Sequence, residues 1–253
     1  MKHIALRSKS IRIGDRPYTC PGLGDRLHSV YLAYQYGLAH DTPVTIHLTD
    51  DKWSVAGGVK SDKKIKSWNE ILTLYPKDKV FIKNHPVENL PENEWLKYLH
   101  NNGYEAEIYY YKDTKNMHPN ETVVALEISQ YLKKPILLNP IKSIHQLPNK
   151  FVTMQWDSTD ERRTFSEILT NKIENNYKSQ GYEIVYVGGH TSLANAGYAM
   201  SKARYHVGAD SGFLHLAQVY KKFEDIHIYS PVGGYKSHHL WRAINNGCKH
   251  YNI

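Results

Sequence analysis

The second half of the chain alternates short apolar segments with longer amphipathic ones, and this alternation constrains the fold more than any other feature. Apolar segments at residues 151–156, 183–187, 205–208 and 225–229 have the length and pattern of strands. Between them, apolar residues recur at helical spacing over residues 165–177, 193–203 and 213–220. A helix between successive strands predicts a doubly wound α/β fold with a parallel sheet, which binds ligands beyond the carboxyl ends of its strands.

The first half shows the same alternation in a weaker form. Predicted strands cover residues 3–6, 43–48, 79–82, 122–126 and 135–138, and predicted helices cover residues 27–38, 65–75 and 95–99. Residues 139–149 contain two prolines and no regular period, which is typical of a linker. The sequence therefore predicts two α/β domains, at residues 1–140 and 150–253.

Charge and cysteine content narrow the range of functions. The 253 residues carry 32 Lys and Arg against 25 Asp and Glu, a net charge of +7 that favours an anionic ligand without distinguishing a nucleotide from a nucleic acid. Cys20 and Cys248 are too few and too far apart in sequence for a disulfide framework or a cysteine zinc site. The amino terminus lacks the apolar core of a signal peptide, and no apolar run reaches the about 20 residues that cross a bilayer, so we expect a cytoplasmic protein.

Residues suited to holding phosphate follow one predicted strand of the second half, after residue 156. Ser158 and Glu161 have capping-box spacing, and Arg162 and Arg163 place positive charge in the first turn of the predicted helix. Cations at that position oppose the helix dipole, and a bound pyrophosphate would explain them. A solvated helix face with an ordinary charge pair is equally compatible with the sequence.

A second segment with the same character is residues 208–217. Asp210 and Ser211 can cap a helix, Gly212 lets an anion approach the backbone, and His215 lies one turn further along on the same side. The alternative is an ordinary helix start followed by a packed core histidine. Taken alone, this segment favours that alternative.

A glycine-rich turn in the first half, residues 20–28, leads into a predicted helix. Gly22 and Gly24 permit tight turns, and Asp25 would lie at the helix start beside Arg26 and His28. An Asp in such a position is usually a cap, but it could instead be a base held over a substrate that enters between the domains.

Together, these segments resemble the heptosyltransferase family, family 9, of the GT-B glycosyltransferases. The resemblance covers residues 150–231 and, locally, 20–37, and it includes the motifs at residues 158–167 and 188–193. Its most specific part is residues 207–217, where a strand ends in Asp and is followed by Ser, Gly, two residues and His-Leu-Ala. Arg163 stands where Lys is common, Phe213 stands where Pro is common, and residues 49–149 match nothing in the family.

The resemblance implies two Rossmann-like, doubly wound domains facing a cleft. It implies a nucleotide-sugar donor bound mainly by the second domain, a glycan or other hydroxyl acceptor bound by the first, and an inverting transfer that uses no metal and no other cofactor. Asp25 is then the catalytic base, with Gly24, Arg26 and His28 beside it on the acceptor side. The donor contacts implied in the same way are Ser158, Thr159, Arg163, Asp210, Ser211, Gly212 and His215.

These residue types suit glycosyl transfer, because displacement at an anomeric carbon needs a base for the acceptor hydroxyl and positive groups for the departing diphosphate. Three other functions stay open. The positive charge and residues 109–115, three tyrosines with two lysines, also fit a nucleic-acid-binding protein or a glycosyltransferase with a nucleic-acid acceptor. A nucleotide-sugar binder without turnover would carry the same motifs in its second half.

Overall fold

In a computed structural model, the chain forms two compact units. The first comprises Met1–Ser61 and Ile65–Leu132, and the second comprises Asp62–Lys64 and Lys133–Ile253. The structure describes residues 3–7, 23–48, 55–56, 59–60, 68–84, 92–109, 124–127, 137–142, 146–158, 161–230, 244 and 247–253. The side chains of Asp25 and His28 lie outside this description.

The first unit is built on a parallel sheet. Over the described residues, its strands are β1 (His3–Arg7), β2 (Val44–Leu48), β5 (Val80–Asn84), β6 (Tyr104–Tyr109) and β7 (Val124–Glu127), in the order β5-β2-β1-β6-β7. A separate antiparallel pair is formed by β3 (Val55–Ala56) and β4 (Val59–Lys60). The helices are α1 (Leu23–His40), α2 (Trp68–Leu72) and α3 (Glu92–Asn101).

Helix α1 buries most of the apolar stripe that the sequence predicts. Leu27, Val30, Tyr31 and Tyr34 recur every three or four residues and are all buried, so one face of the helix is covered. Leu38, the last member of the predicted stripe, is 49% exposed. The covered face therefore ends one turn before the helix does.

The second unit is built on another parallel sheet. Its described strands are β8 (Phe151–Gln155), β9 (Glu183–Tyr186), β10 (His206–Ala209), β11 (Ile226–Ser230) and β12 (Lys249–Asn252), in the order β12-β11-β10-β8-β9. The connecting helices are α4 (Glu167–Ser179), α5 (Leu193–Lys202) and α6 (Gly212–Tyr220). The first strand of this unit, β8, lies inside the sheet, so the chain winds outward from it in both directions, as doubly wound folds do.

The core of the second unit covers both faces of the sheet. Every residue of β8, β10 and β11 is buried, as expected for parallel strands between helical layers. On one face, Ile173 and Tyr177 of α4 pack with Val152, Met154 and other apolar residues. The face contributed by α4 differs from the predicted stripe, because Ile168 is 84% exposed.

Some predicted and observed elements differ. Leu137 and Leu138 belong to no strand, contrary to the strand predicted at residues 135–138. The φ angle of Leu137 is 51°, a left-handed conformation that interrupts an extended backbone, and the Leu138 N–H donates to the carbonyl of Val219. Strands β6 and β12 were not predicted as such.

Among the described helices, none combines the length and hydrophobicity needed to cross a lipid bilayer.

Candidate functional site

The strand order of the second unit creates a switch point between β8 and β10. The chain leaves β8 toward β9 on one side, whereas it leaves β10 toward β11 on the other. Connections that diverge in this way leave a crevice outside the carboxyl ends of the two strands, where doubly wound proteins bind ligands. Residues 156–158 follow β8 and residues 210–212 follow β10, so two of the segments singled out in the sequence meet at this point.

The loop after β8 is closed by its own hydrogen bonds. The Ser158 N–H donates to Thr164 Oγ1 at 3.0 Å, and the Phe165 N–H donates to the Trp156 carbonyl at 3.0 Å. Between them, Glu161–Arg163 form a short 3-10 helix. The loop therefore returns to the strand end before the main helix begins.

Ser158 does not cap helix α4, contrary to the prediction. Helix α4 begins at Glu167, and its cap is Ser166, whose Oγ accepts a hydrogen bond from the Leu169 N–H at 3.3 Å. The physical reason is that the hydrogen bond between Ser158 and Thr164 closes a loop, and the helix begins only after this loop. Arg162 and Arg163 thus lie in the 3-10 helix, where they do not oppose the dipole of α4.

Arg163 and Asp210, which are distant in sequence, are brought together. Arg163 Nη1 donates to the Asp210 carbonyl oxygen at 2.8 Å and lies 3.9 Å from Asp210 Oδ1. The Arg163 side chain is 18% exposed and that of Asp210 is 4% exposed, so their attraction is only weakly screened by water. This contact ties the loop after β8 to the start of α6.

The start of α6 is held by a second contact with the end of β8. Ser211 is the cap of α6: its Oγ accepts from the Phe213 N–H at 3.3 Å, and its hydroxyl donates to Gln155 Oε1 at 2.7 Å. Gln155 Nε2 in turn donates to Asp157 Oδ1 at 3.1 Å. Gln155 was not among the predicted site residues, although a polar residue ending a buried strand was the signal that could have found it.

The loop after β9 approaches the same carboxylate. A Cβ atom added at Gly188 would lie 3.0 Å from Asp157 Oδ1, so a side chain there would crowd the β8 loop. Ser192 then caps α5, accepting from the Asn195 N–H at 3.2 Å. Three successive strand ends therefore lie close together at one edge of the sheet.

The other predicted donor residues lie at this edge or outside the description. Ser158 is buried, Gly212 at the start of α6 is partly exposed, and Thr159 lies outside the described residues. His215 is buried in α6, a helix of which every residue after Gly212 is buried. Its position is compatible with both predicted roles, a packed histidine and a donor contact.

The predicted acceptor-side residues belong to the first turns of α1 in the first unit. Gly24 is partly exposed, and Arg26 is 2% exposed, an unusual degree of burial for an arginine. Asp25 is the third residue of α1, and its side chain lies outside the described residues, as does that of His28. The role of Asp25 as base stays a prediction.

The buried histidine at the start of β10, His206, is uncharged. Burial lowers the pKa of His206 to about 3, so the ring is neutral at physiological pH, and its Nδ1 lies 3.1 Å from Thr153 Oγ1. Among the described residues, no three His, Cys, Asp or Glu side chains are grouped as metal ligands would be.

Comparisons with known proteins found matches among solved structures, whereas neither the family models nor the curated proteins gave a match. A glycosyltransferase family 9 protein from Veillonella parvula DSM 2008 matches with 11% identity and a TM-score of 0.54, over 100% of this chain and 86% of that one. The E. coli ADP-heptose LPS heptosyltransferase II matches with 10% identity and a TM-score of 0.54, over 100% of this chain and 90% of that one.

A third match is TibC from enterotoxigenic E. coli H10407, described as an iron-containing dodecameric glycosyltransferase. The match has 12% sequence identity and a TM-score of 0.52, and this chain spans 57% of the length of TibC. At such identities the likeness concerns the fold. The chain therefore has the α/β fold of the family 9 glycosyltransferases, which confirms at the level of fold the resemblance that its sequence motifs predict.

Proposed function

We propose that this chain is an inverting glycosyltransferase that moves a sugar from a nucleotide-diphosphate sugar to an acceptor hydroxyl. The observation that carries the proposal is the convergence of Arg163 and the start of α6 at the switch point of the second sheet. A diphosphate needs positive charge and N–H donors, and an arginine beside a helix amino terminus offers both. The fold shared with glycosyltransferases supports the same conclusion.

In the proposed mechanism, a base in the first unit removes the proton from the acceptor hydroxyl. The resemblance assigns this role to Asp25, in the first turn of α1. The acceptor oxygen forms a bond to the anomeric carbon from the side opposite the diphosphate, and the bond from that carbon to the diphosphate oxygen breaks. This direct displacement inverts the configuration at the anomeric carbon.

The departing diphosphate gains negative charge during this step. Arg163 and the N–H groups at the start of α6 would stabilise that charge more strongly in the transition state than in the bound donor. His215 in the same helix and Ser158 and Thr159 in the loop after β8 are the further donor contacts that the resemblance implies. Arg163 lies against Asp210, so the same loops would hold the diphosphate and the sugar side by side.

The donor belongs, in this proposal, to the class of nucleoside-diphosphate sugars. Because one protein of similar fold is named for ADP-heptose, adenine-linked donors are the first to test. We further propose that cationic side chains and helix dipoles replace a metal at the diphosphate. TibC, whose structure is described as iron-containing, makes a direct test of metal dependence worthwhile.

The test of this proposal is nucleotide binding with a matched pair of variants. ADP, UDP and GDP are screened for thermal stabilisation, since a ligand that binds only the folded chain raises its apparent stability. Calorimetry then compares Arg163→Ala with Arg162→Ala, which removes an exposed arginine of the same short helix. We expect Arg163→Ala to weaken diphosphate binding by about tenfold or more, and Arg162→Ala to change it by less than about threefold. Absence of any nucleotide binding by the wild-type protein would contradict the proposed function.

A further inference from the structure

The start of α6 contains a chain of hydrogen bonds whose direction is fixed by chemistry. The Asp157 carboxylate can only accept, so the Gln155 amide nitrogen must face it, at 3.1 Å. The Gln155 amide oxygen therefore faces Ser211, at 2.7 Å, and that oxygen also can only accept. The single proton of the Ser211 hydroxyl is consequently committed to Gln155.

The oxygen of Ser211 is left with accepting capacity alone. One of its two lone pairs takes the Phe213 N–H at 3.3 Å. The other can take a hydrogen bond only from a group that brings its own proton. Gln155 is 1% exposed and Ser211 is 8% exposed, and buried polar groups hold their partners because leaving them unpaired is costly.

A second buried polar group, the ring of His206, lies beside Gln155. His206 is fully covered, its ring is neutral, and its Nε2 has no hydrogen-bond partner within the described part of the chain. A Cβ atom at Gly208 would lie 3.2 Å from His206 Nε2 and 3.3 Å from Gln155 Oε1, so both atoms border the space above this glycine. The Gln155 amide oxygen therefore lies beside a buried ring nitrogen for which the described residues supply no hydrogen-bond partner.

Diphosphate oxygens and sugar hydroxyls make opposite demands on the Ser211 oxygen, which can only accept a further hydrogen bond. A diphosphate only accepts hydrogen bonds, whereas a hydroxyl can donate one. We infer that Gln155 and Asp157 are positioning residues that fix Ser211 as an acceptor, so that a sugar hydroxyl of the donor, and not its diphosphate, meets Ser211. This inference rests on the proposed function and assigns to the Ser211 side chain, predicted only as a donor contact, a contact with the sugar.

The test compares a nucleoside diphosphate with the matching nucleotide-sugar. The probes are ADP with ADP-glucose, UDP with UDP-glucose and GDP with GDP-mannose, measured by calorimetry with the pair that binds the wild-type protein. We expect Ser211→Gly to weaken nucleotide-sugar binding by about fivefold while diphosphate binding stays within about twofold. Glycine is chosen because it is tolerated as a helix cap, so the variant keeps α6. Ser166→Gly, at the cap of α4, is the matched control and should change neither affinity.

A second variant tests directly whether the proton of the Ser211 hydroxyl is held by Gln155. Gln155→Met removes the acceptor, so the Ser211 hydroxyl is free to donate to phosphate. We expect the affinity for the diphosphate to rise relative to that for the nucleotide-sugar, by about threefold or more. Equal losses of both affinities in Ser211→Gly, or an unchanged ratio in Gln155→Met, would overturn the inference while leaving nucleotide binding and the proposed function intact. Failure of the wild-type protein to bind any probe would overturn both.

Discussion

Lys221, which follows α6, is a buried lysine whose protonation should control the stability of the second unit. It is 6% exposed, and its Nζ donates to the carbonyls of Met200 at 3.1 Å and Ala203 at 2.6 Å. These carbonyls lie at the carboxyl end of α5, where the last turn of a helix leaves acceptors unpaired. Burial lowers the pKa of Lys221 from its ordinary 10.5 to about 8, and the nearby Asp225 carboxylate offsets part of this effect.

The sign of the effect on stability follows from the direction of this pKa shift. Between pH 8 and pH 10.5 the unfolded chain keeps the Lys221 proton, whereas the folded chain has lost it. The unfolded state binds more protons in this window, so the contribution of Lys221 to the free energy of unfolding rises with pH. A fall from 10.5 to about 8 corresponds to about 3 kcal/mol over the window, with a slope of up to about 1.4 kcal/mol per pH unit. A neutral amine still donates, so both hydrogen bonds survive deprotonation.

The assay is urea unfolding of the wild-type protein, Lys221→Met and Lys222→Met, from pH 7 to pH 10.5. Methionine keeps the length of the side chain and removes the titrating amine, while the exposed Lys222 is the matched control. We expect the stability of wild type minus that of Lys221→Met to increase by about 3 kcal/mol across the range, because all other titrations cancel in the difference. The corresponding difference for Lys222→Met should stay flat. A flat difference for Lys221→Met as well, or one that falls with pH, would refute the reasoning.

Three further predictions concern the site and the packing. Asp25→Asn should lower the rate of glycosyl transfer by about 10²–10⁴-fold while donor affinity stays nearly unchanged; normal turnover would show that the base lies elsewhere. Transfer should persist in excess EDTA, and activity lost in EDTA but restored by Mg²⁺ or Mn²⁺ would contradict the proposed metal-free site. Gly197→Ala should cost about 1–3 kcal/mol of stability, because its Cβ would lie 2.4 Å from the buried ring of Tyr220. Gly189→Ala, with nothing within 4 Å of its Cβ, is the control for the melting temperature.

Much of the second sheet could be predicted from the sequence because its strands and helices have different periods. The strands predicted at residues 151–156, 183–187, 205–208 and 225–229 correspond to β8, β9, β10 and β11. Strand β12, Lys249–Asn252, carries polar residues and lies at the sheet edge, so it lacks the apolar pattern that marks the others. The same holds for β6 in the first unit, where Glu105 and Glu107 interrupt the apolar residues.

The start of α4 shows why the site could be predicted only in part. Ser158 and Ser166 are both serines ahead of an apolar helical pattern, and the sequence offers no means of choosing between them by spacing alone. Hydrogen bonds within the loop decide: Thr164 binds Ser158 and closes the loop, which leaves Ser166 to cap the helix. The meeting of Arg163 and Asp210 likewise depends on the strand order, which places β8 beside β10 and cannot be derived from local patterns.

The polar residues buried within the strands carry information that the search for motifs does not use. Thr153 and Gln155 alternate along β8, and the register places them beside His206 and Gly208 of β10, so these four positions share one face of the sheet. A buried polar side chain needs a hydrogen-bond partner, and the partner of Gln155 is supplied by the next element of the site, Ser211. Polar residues at the carboxyl end of an otherwise buried strand therefore indicate contacts across the switch point. By this criterion the sequence alone marks Gln155, because it is a polar residue near the end of a predicted strand, two positions ahead of Asp157.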